Sequence, residues 1–484
     1  MIPNTTVSKV DGATGVVKPS SKGIIAIIAP CEKGSTTAAV AHTKARNVLS
    51  DYGYGLLSDA AAYVLPSGKP VVLVRSAAST AATASAVTTT GGGTSVATVD
   101  TPANILDDFN VLVTFKTAGT IGVAGITYTY SLDGGETTSA VQSLGTANTF
   151  TIPHSGVTID LAAGTVLADE TLEFTTTGPR MNGTDLTDAL EVLRVSALPW
   201  EFVMVLGLDA SGTHVATLDN WLAAREAEGR YRGFLMNAEM KGTSTESAYL
   251  TAMTTARASM ASIRGCVGAD GGDLASVLPG RGILQVRPSI LALAARVAKV
   301  SFGTDPAYVA DGPVNGFQLP DDAGNPNNHD ENVYPGLDAL GFVTLRTFDR
   351  KQGTFITNAN VISSSGSDYV WIQHIRVMNR ACEIAYDILT EQLSRGVNKN
   401  PKLGPNGEVY IAEEDAQKID ALVNQGLNEL RSEVSDLRFV LSRTDDIGAN
   451  GPVVLNADLL VQAKAYAKGF NVSASFARSI SVQG

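Results

Sequence analysis

The sequence has few of the residues that form catalytic or metal sites. Its 484 residues include only three cysteines and five histidines. The cysteines share no metal-ligand spacing and are odd in number, so buried free thiols are favoured over a disulfide to a neighbouring chain; they are Cys31, Cys266 and Cys382. The histidines are scattered and none belongs to an HExxH pair; they are His42, His154, His214, His329 and His374.

Motifs for nucleophilic catalysis and phosphate binding are also missing. No GxSxG nucleophile elbow occurs, and segment 52–55 (YGYG) lacks the spacing and the Lys-Ser/Thr pair of a phosphate loop. Loop 268–273 lacks the EF-hand ligand pattern, so a turn is favoured there. We interpret loop 328–332 as solvated surface and His374 as a packed or interface residue. We therefore predict no catalytic, cofactor or metal site and no enzymatic activity.

Positive charge is in deficit. Lys and Arg number 36 against 48 Asp and Glu, which gives a formal net charge of −12. This balance argues against a protein that coats nucleic acid. Apolar runs such as 24–29 and 290–297 are too short to span a bilayer, and no signal-peptide pattern occurs. We expect a soluble chain made in a cytoplasm, without nucleic-acid contact or membrane insertion.

The patterns that are present alternate between strand and helix. The apolar run 24–29 predicts a strand buried on both faces, and it is followed by two helical patterns and a second apolar strand at 70–75. The same alternation resumes at 185 and continues to 300. An α/β fold with a mostly parallel sheet covered on both faces is expected. The predicted helices are 43–50, 56–65, 185–195, 218–225, 244–262 and 289–300; the further strands are 202–207, 233–237 and 264–268.

A β-rich segment interrupts this alternation. Residues 76–104 are rich in Ala, Ser, Thr and Gly and predict a linker. Residues 105–178 contain several strand patterns and no helix signal. We therefore predict a core domain formed by 23–80 and 180–335, with a β-domain and its linker inserted at 81–179.

The C-terminal region is mixed α+β. Segments 342–347 and 354–362 predict a hairpin, and the following spacing of apolar residues predicts a long helix over 369–393. The remaining patterns predict helix 411–436, strand 438–443 and a last helix over 456–469. We assign 336–469 to one α+β region.

Both terminal segments are predicted to be arms that exchange strands between copies of the chain. Residues 1–22 lack enough apolar residues for an independent element, and 470–484 alternate apolar and polar side chains as a half-buried strand does. An exposed apolar edge promotes aggregation, and pairing between copies would cover it. For 470–484 the alternative is an edge strand within the chain's own sheet, and for 1–22 it is a frayed terminus. The predicted exchange residues are Val7, Val10, Val16, Val17, Phe470, Val472, Ala474, Phe476 and Ile480.

A set of ordered fragments resembles contractile phage-tail sheath proteins. The fragments are GIIAIIAPCEKG (23–34), NVLSDYGYG (47–55), the strand ending at Arg75, RPS (287–289), DGPVNG (311–316), GFVTLRTFDRKQGTFITNA (341–359) and the long helix with Arg376 and Arg380. The inserted β-domain, with SLDGG at 131–135, also suits the family. One departure is Tyr52-Gly53, where Phe-Gly is frequent in that family.

The resemblance implies a structural role in a machine. Sheath subunits form hexameric rings stacked helically around a tail tube, with baseplate and tail terminator proteins as further partners. Neighbouring arms complete a shared small sheet, and contraction drives the tube through the host envelope without nucleotide. The C-terminal region would face the tube, through helix 411–436 or through Asp458, Lys464 and Lys468, and the insertion would lie outward. The expected location is the virion tail, or a related injection device.

Two other classes remain open from the residues alone. An α/β hydrolase-like enzyme with an accessory β-domain is the main alternative, although its nucleophile and base motifs are missing. A surface-layer or adhesin subunit is the other, and it fits poorly with the absence of a signal peptide.

Overall fold

The structure is a computed structural model that describes residues 22–319, 328–448 and 453–468. The chain divides into two compact units, and the boundary in sequence lies between Asn379 and Arg380. Sheets and helices occur in both units, so the predicted mixed α/β fold class is confirmed.

A six-stranded sheet forms the centre of the first unit. Five of its strands are parallel, as predicted, and the sixth, Ala39–His42, pairs antiparallel with Val71–Arg75 at one edge. The strand order across the sheet is Gly265–Gly268, Gly233–Asn237, Phe202–Val205, Ile25–Ala29, Val71–Arg75 and Ala39–His42. The apolar runs form these strands because every residue of a central parallel strand is buried on one face or the other.

Both faces of this sheet are covered. Ile25 and Ile27 point into one hydrophobic cluster, and Ala26 and Ile28 point into another, as the alternation of side chains along a strand requires. The helices that cover the two faces are Ala45–Tyr52, Leu56–Val64, Gly183–Val195, Gly212–Ala227, Glu246–Arg257 and Ser289–Lys299. Smaller sheets complete this unit; they contain the strands Gly271–Ala275, Leu284–Pro288, Phe317–Gln318, Leu345–Phe348 and Lys351–Ile356.

The predicted β insertion has its own hydrophobic cluster. Its central strands Phe109–Phe115 and Thr171–Thr177 pair antiparallel. The linker predicted over 76–104 is wrong in part, because this segment contains three short strands that pair with later strands of the insertion. The prediction failed because the threonines of this segment favour strands and because the strands with which they pair lie far along the chain. The other strands are Thr83–Ala84, Thr88–Thr90, Ala97–Asp100, Gly119–Thr120, Thr127–Ser131, Gln142–Ser143, Thr149–Thr151, Thr158–Leu161 and Thr165–Val166.

A buried ion network joins the insertion to the rest of the first unit. Asp107 of the insertion accepts hydrogen bonds from Arg287 at 2.7 Å and from Arg281 at 3.1 Å. Arg287 also donates to Asp59, on the helix Leu56–Val64, at 2.6 Å. All four side chains are nearly inaccessible to solvent. The two arginines outweigh the effect of burial, which alone would raise the pKa of Asp107, and they hold it well below its usual range.

The second unit contains the end of the long helix Ile372–Glu391 and two further strand pairs. Lys399–Leu403 pairs with Val409–Ile411, and Asp436–Leu441 pairs with Ala457–Gln462. The helix Glu413–Leu427 lies between these pairs in sequence. Short 3-10 segments occur in both units: Leu65–Ser67, Pro102–Asn104, Val309–Asp311, Asp338–Leu340 and Asn428–Leu430. Among the residues described, no helix has the length and apolarity to cross a membrane.

The polar loop 328–332, interpreted above as solvated surface, is instead partly buried in the first unit. His329 is only 3% exposed, and its two ring nitrogens lie 2.8 Å from Glu246 and 3.0 Å from Glu331. Asp270 accepts the backbone N–H groups of His329 and Lys241. The loop is buried because these charged partners, distant in sequence, satisfy its polar groups.

This cluster predicts a contribution to the stability of the first unit that is lost as the pH rises. Burial lowers the pKa of His329, but Glu331 and Glu246 outweigh it, so the pKa is raised; its stabilising charge is lost as pH rises through the folded pKa. Burial raises the pKa of Asp270 to about 6, so the folded state also binds a proton at this carboxyl group more tightly than the unfolded state does. We therefore expect the free energy of unfolding of the unmodified protein, measured relative to that of His329→Gln, to fall between pH 5.5 and pH 8.

Urea denaturation followed by tryptophan fluorescence measures this effect, because all three tryptophans lie in the first unit. His329→Gln should flatten the pH profile, whereas His214→Gln, outside the cluster, should leave it unchanged. A free-energy difference between the unmodified protein and His329→Gln that does not shrink toward pH 8 would contradict the assignment.

Candidate assembly interface

A two-stranded sheet in the second unit has the geometry of a docking site for a further strand. Asp436–Leu441 pairs antiparallel with Ala457–Gln462 over six residues. Leu437, Phe439 and Leu441 are buried on the face where this sheet packs against the helix Glu413–Leu427. The opposite face includes Leu460, which is 60% exposed.

One edge of this sheet is closed by side chains of the helix Glu413–Leu427. Asn424 accepts the backbone N–H of Phe439 at 2.9 Å and donates to the carbonyl oxygen of Phe439 at 2.9 Å. Asp420 accepts the backbone N–H of Leu441 at 2.8 Å. These side chains occupy the backbone N–H and C=O groups with which an added strand would have to form hydrogen bonds on that side.

The other edge is open within the described part of the chain. Because the N–H and C=O of Phe439 point toward Asn424, Phe439 and its register partner Leu459 form a non-hydrogen-bonded pair. The N–H and C=O of Leu459 therefore point away from Asp436–Leu441, and alternation directs those of Ala457 and Val461 the same way. Among the described residues no strand pairs along this outer edge. An open edge of this kind is a template for pairing with another chain.

The helix beneath this sheet is firmly packed within its own unit. At Gly426 an added Cβ would lie 2.4 Å from Cδ1 of Ile388 and 3.0 Å from Cγ2 of Ile384, so a larger residue would require these side chains to move. Arg443 bonds both Glu413 and Asp420, at 3.1 Å and 2.7 Å. The helix that closes one edge is thus held in place by residues on both sides of it.

The structure corrects the element predicted for the tube-facing residues. Over residues 456–468 there is no helix; Asp458 lies in the strand Ala457–Gln462, and Lys464 and Lys468 follow it. Pairing with Asp436–Leu441 overrides the helix propensity of the Ala, Leu and Lys residues. Asp458 is exposed, and Lys464 donates to the carbonyl oxygen of Ser432. The helix predicted over 411–436 ends at Leu427.

The predicted exchange residues lie outside the described residues, from Val7 to Val17 and from Phe470 to Ile480. Their pairing therefore stays a prediction. The structure adds Asp420 and Asn424, which the sequence reasoning missed. The sequence pattern could have identified them, because they are two polar residues one helical turn apart. They lie next to the buried Ile419, Val423 and Leu427.

No group of three or more His, Cys, Asp or Glu side chains lies close enough to hold a metal ion in the parts of the chain that the structure describes. Cys31, Cys266 and Cys382 form no disulfide with one another. Burial raises the pKa of the Cys31 and Cys266 thiols, which disfavours the reactive thiolate.

The sequence matches the family described as DUF2586, N-terminal domain, over residues 2–360. This match covers well over half of the chain. The chain belongs to the DUF2586 family. No curated protein matches the sequence.

Solved structures share the fold of this DUF2586 chain over nearly its whole length. A chain of the anti-feeding prophage baseplate in its contracted state has a TM-score of 0.52 at 12% identity and covers 98% of each chain. The contracted helical sheath of the anti-feeding prophage gives 0.51 at 9% identity, covering 99% of each chain. The PVC sheath complex of an extracellular contractile injection system, also contracted, gives 0.51 at 9% identity, covering 99% of this chain and 98% of the other. The resemblance to contractile sheath proteins is confirmed at the level of the fold.

Proposed function

We propose that this chain is a structural, non-enzymatic subunit of a contractile sheath. The observation that carries the proposal is the strand edge at Ala457–Gln462, which is open within the described residues while the opposite edge is closed by Asp420 and Asn424. The fold shared with sheath chains supports it. The occupant of the open edge is a strand from another copy of the chain.

The two terminal segments supply the strands. The alternation of Phe470, Val472 and Phe476 with polar residues suits a strand that buries one face on a neighbour. An extended arm of ~20 residues reaches roughly 60–70 Å, far enough to reach an adjacent subunit. Main-chain hydrogen bonds give such a linkage strength, and the alternate side chains set its register.

The larger assembly is the one that the resemblance to contractile sheath proteins implies. Subunits form hexameric rings stacked around a tail tube, in a phage tail or a bacterial injection device, with baseplate and tail terminator proteins at the ends. Residues 336–469 face the tube, with Asp458, Lys464, Lys468 and the helix Glu413–Leu427 as candidates, and the insertion 81–179 lies outward. Contraction is a shift between two packings of the same subunits that keeps the strand linkages.

Electron microscopy of the purified protein tests the proposal. We expect tubes or rings of repeating subunits, and we expect deletion of 470–484 to leave dispersed monomers. A substitution pair gives a matched control: replacing Phe470, Val472 and Phe476 with serine should abolish the polymer, whereas replacing Ser473, Ser475 and Ser479 with alanine should preserve it. A monomeric full-length chain, or a polymer unaffected by the deletion, would overturn the strand exchange.

A further inference from the structure

The point where the N-terminal segment joins the first unit is tightly held. Gly23 has φ +71°, a conformation that side chains rarely adopt, and an added Cβ would lie 2.7 Å from the carbonyl oxygen of Ala298. Next to it, the ammonium of Lys22 lies 4.8 Å from the centre of the Phe302 ring. The backbone at residues 22 and 23 is therefore fixed against the end of the helix Ser289–Lys299.

A single buried carboxylate connects this point to the long helix. Oε2 of Glu201 accepts the backbone N–H of Gly23 at 2.5 Å. Oε1 of Glu201 accepts Nε–H of Arg376 at 2.6 Å, and Oε2 also accepts from Nη2 of Arg376 at 3.2 Å. Glu201 immediately precedes the core strand Phe202–Val205, and its own N–H donates to the carbonyl oxygen of Ile24.

Arg376 is held on every side. Its side chain is completely buried, and Nη1 donates to the carbonyl oxygen of Ser301 at 2.9 Å. Its guanidinium lies 5.3 Å from the centre of the same Phe302 ring that Lys22 contacts. Arg376 stands less than one helical turn before Asn379, where the first unit ends and the helix Ile372–Glu391 continues into the second.

We propose that Glu201 mechanically couples the root of the N-terminal segment to the helix that leads into the second unit. This inference rests on the proposed function, because a sheath subunit is pulled at its arm while its second unit holds a neighbour's strand. With the coupling in place, tension at Gly23 passes through Glu201 to Arg376. Without it, the load would fall on the first hydrogen bonds of the strand Ile25–Ala29, which peel one at a time.

Hydrogen exchange measured by mass spectrometry on the full chain tests the coupling without requiring assembly. In Glu201→Gln we expect amide exchange to accelerate about tenfold or more in two segments that are far apart in sequence, 22–29 and 372–379, because Arg376 loses its buried charge partner. The matched control is Glu226→Gln, which weakens another bidentate pair of this unit, with Arg264 at 2.7 Å. That variant should change exchange only near its own helix.

Gly23→Ala provides a second test from the other end. It disturbs the arm root and the carbonyl oxygen of Ala298 that the new Cβ would meet, and it removes no group of Glu201 or Arg376. The coupling requires faster exchange in 372–379 as well. Acceleration confined to 22–29 in this variant, or to one of the two segments in Glu201→Gln, would overturn the inference. Failure of the proposed function is a separate result, since a chain that never polymerises can still show the coupled exchange.

Discussion

Replacing Asp107 with alanine is expected to lower the free energy of unfolding of the first unit by about 3–5 kcal/mol. Within the described part of the chain, Asp107 is the one carboxylate that pairs with Arg281, at 3.1 Å. Both Asp107 and Asp59 pair with Arg287. Nε and Nη2 of Arg281 already have no hydrogen-bond partner among the described residues. Removal of the carboxylate therefore leaves a buried guanidinium without a counter-charge.

The neighbouring residue provides the control for this prediction. Asp108 is about half exposed and pairs with the partly exposed Arg180, and such pairs contribute about 1 kcal/mol or less. Asp108→Ala should therefore have a much smaller effect in urea denaturation followed by tryptophan fluorescence. The double variant Asp107→Ala/Arg281→Met should recover part of the loss, because the stranded charge is gone. Equal losses for the two aspartates would show that the buried network does not hold the insertion.

The α/β core could be predicted from the sequence because local patterns determine it. Runs such as 24–29 are apolar at every position, as is typical of a strand buried on both faces. The long helix has a clear 3.6-residue period and was predicted within a few residues of its observed ends, Ile372–Glu391. The alternation of these elements predicted a mostly parallel sheet, but it predicted neither the order of the strands nor the antiparallel edge strand Ala39–His42.

The pairing of the buried charges could not be predicted, because the partners lie far apart in the sequence. Arg287 and Asp59 are separated by 228 residues, and Arg376 and Glu201 by 175. Nothing local distinguishes these from surface charges. The strand Ala457–Gln462 was missed for a related reason: its residues favour a helix in isolation, and only the ladder with Asp436–Leu441 makes the extended form more stable.

A proline placed on the open strand edge is expected to block assembly while leaving the subunit folded. The register directs the N–H of Val461 outward and that of Leu460 toward Arg438. Val461→Pro removes an outward donor that the subunit itself does not use, and prolines are tolerated at edges of this kind. We expect the protein concentration required for polymerisation to rise at least about tenfold, because the docking strand loses one hydrogen bond and keeps a carbonyl group unsatisfied.

Two further substitutions in the same strand separate docking from folding. Val461→Thr keeps the N–H and the β-branched shape, so it should polymerise like the unmodified protein. Leu460→Pro, one residue away, removes an N–H that the ladder with Asp436–Leu441 uses, so it should accelerate hydrogen exchange across 436–441. Val461→Pro should leave that exchange unchanged. Normal tubes from Val461→Pro in electron microscopy would show that the outer edge of Ala457–Gln462 is not where neighbouring strands bind.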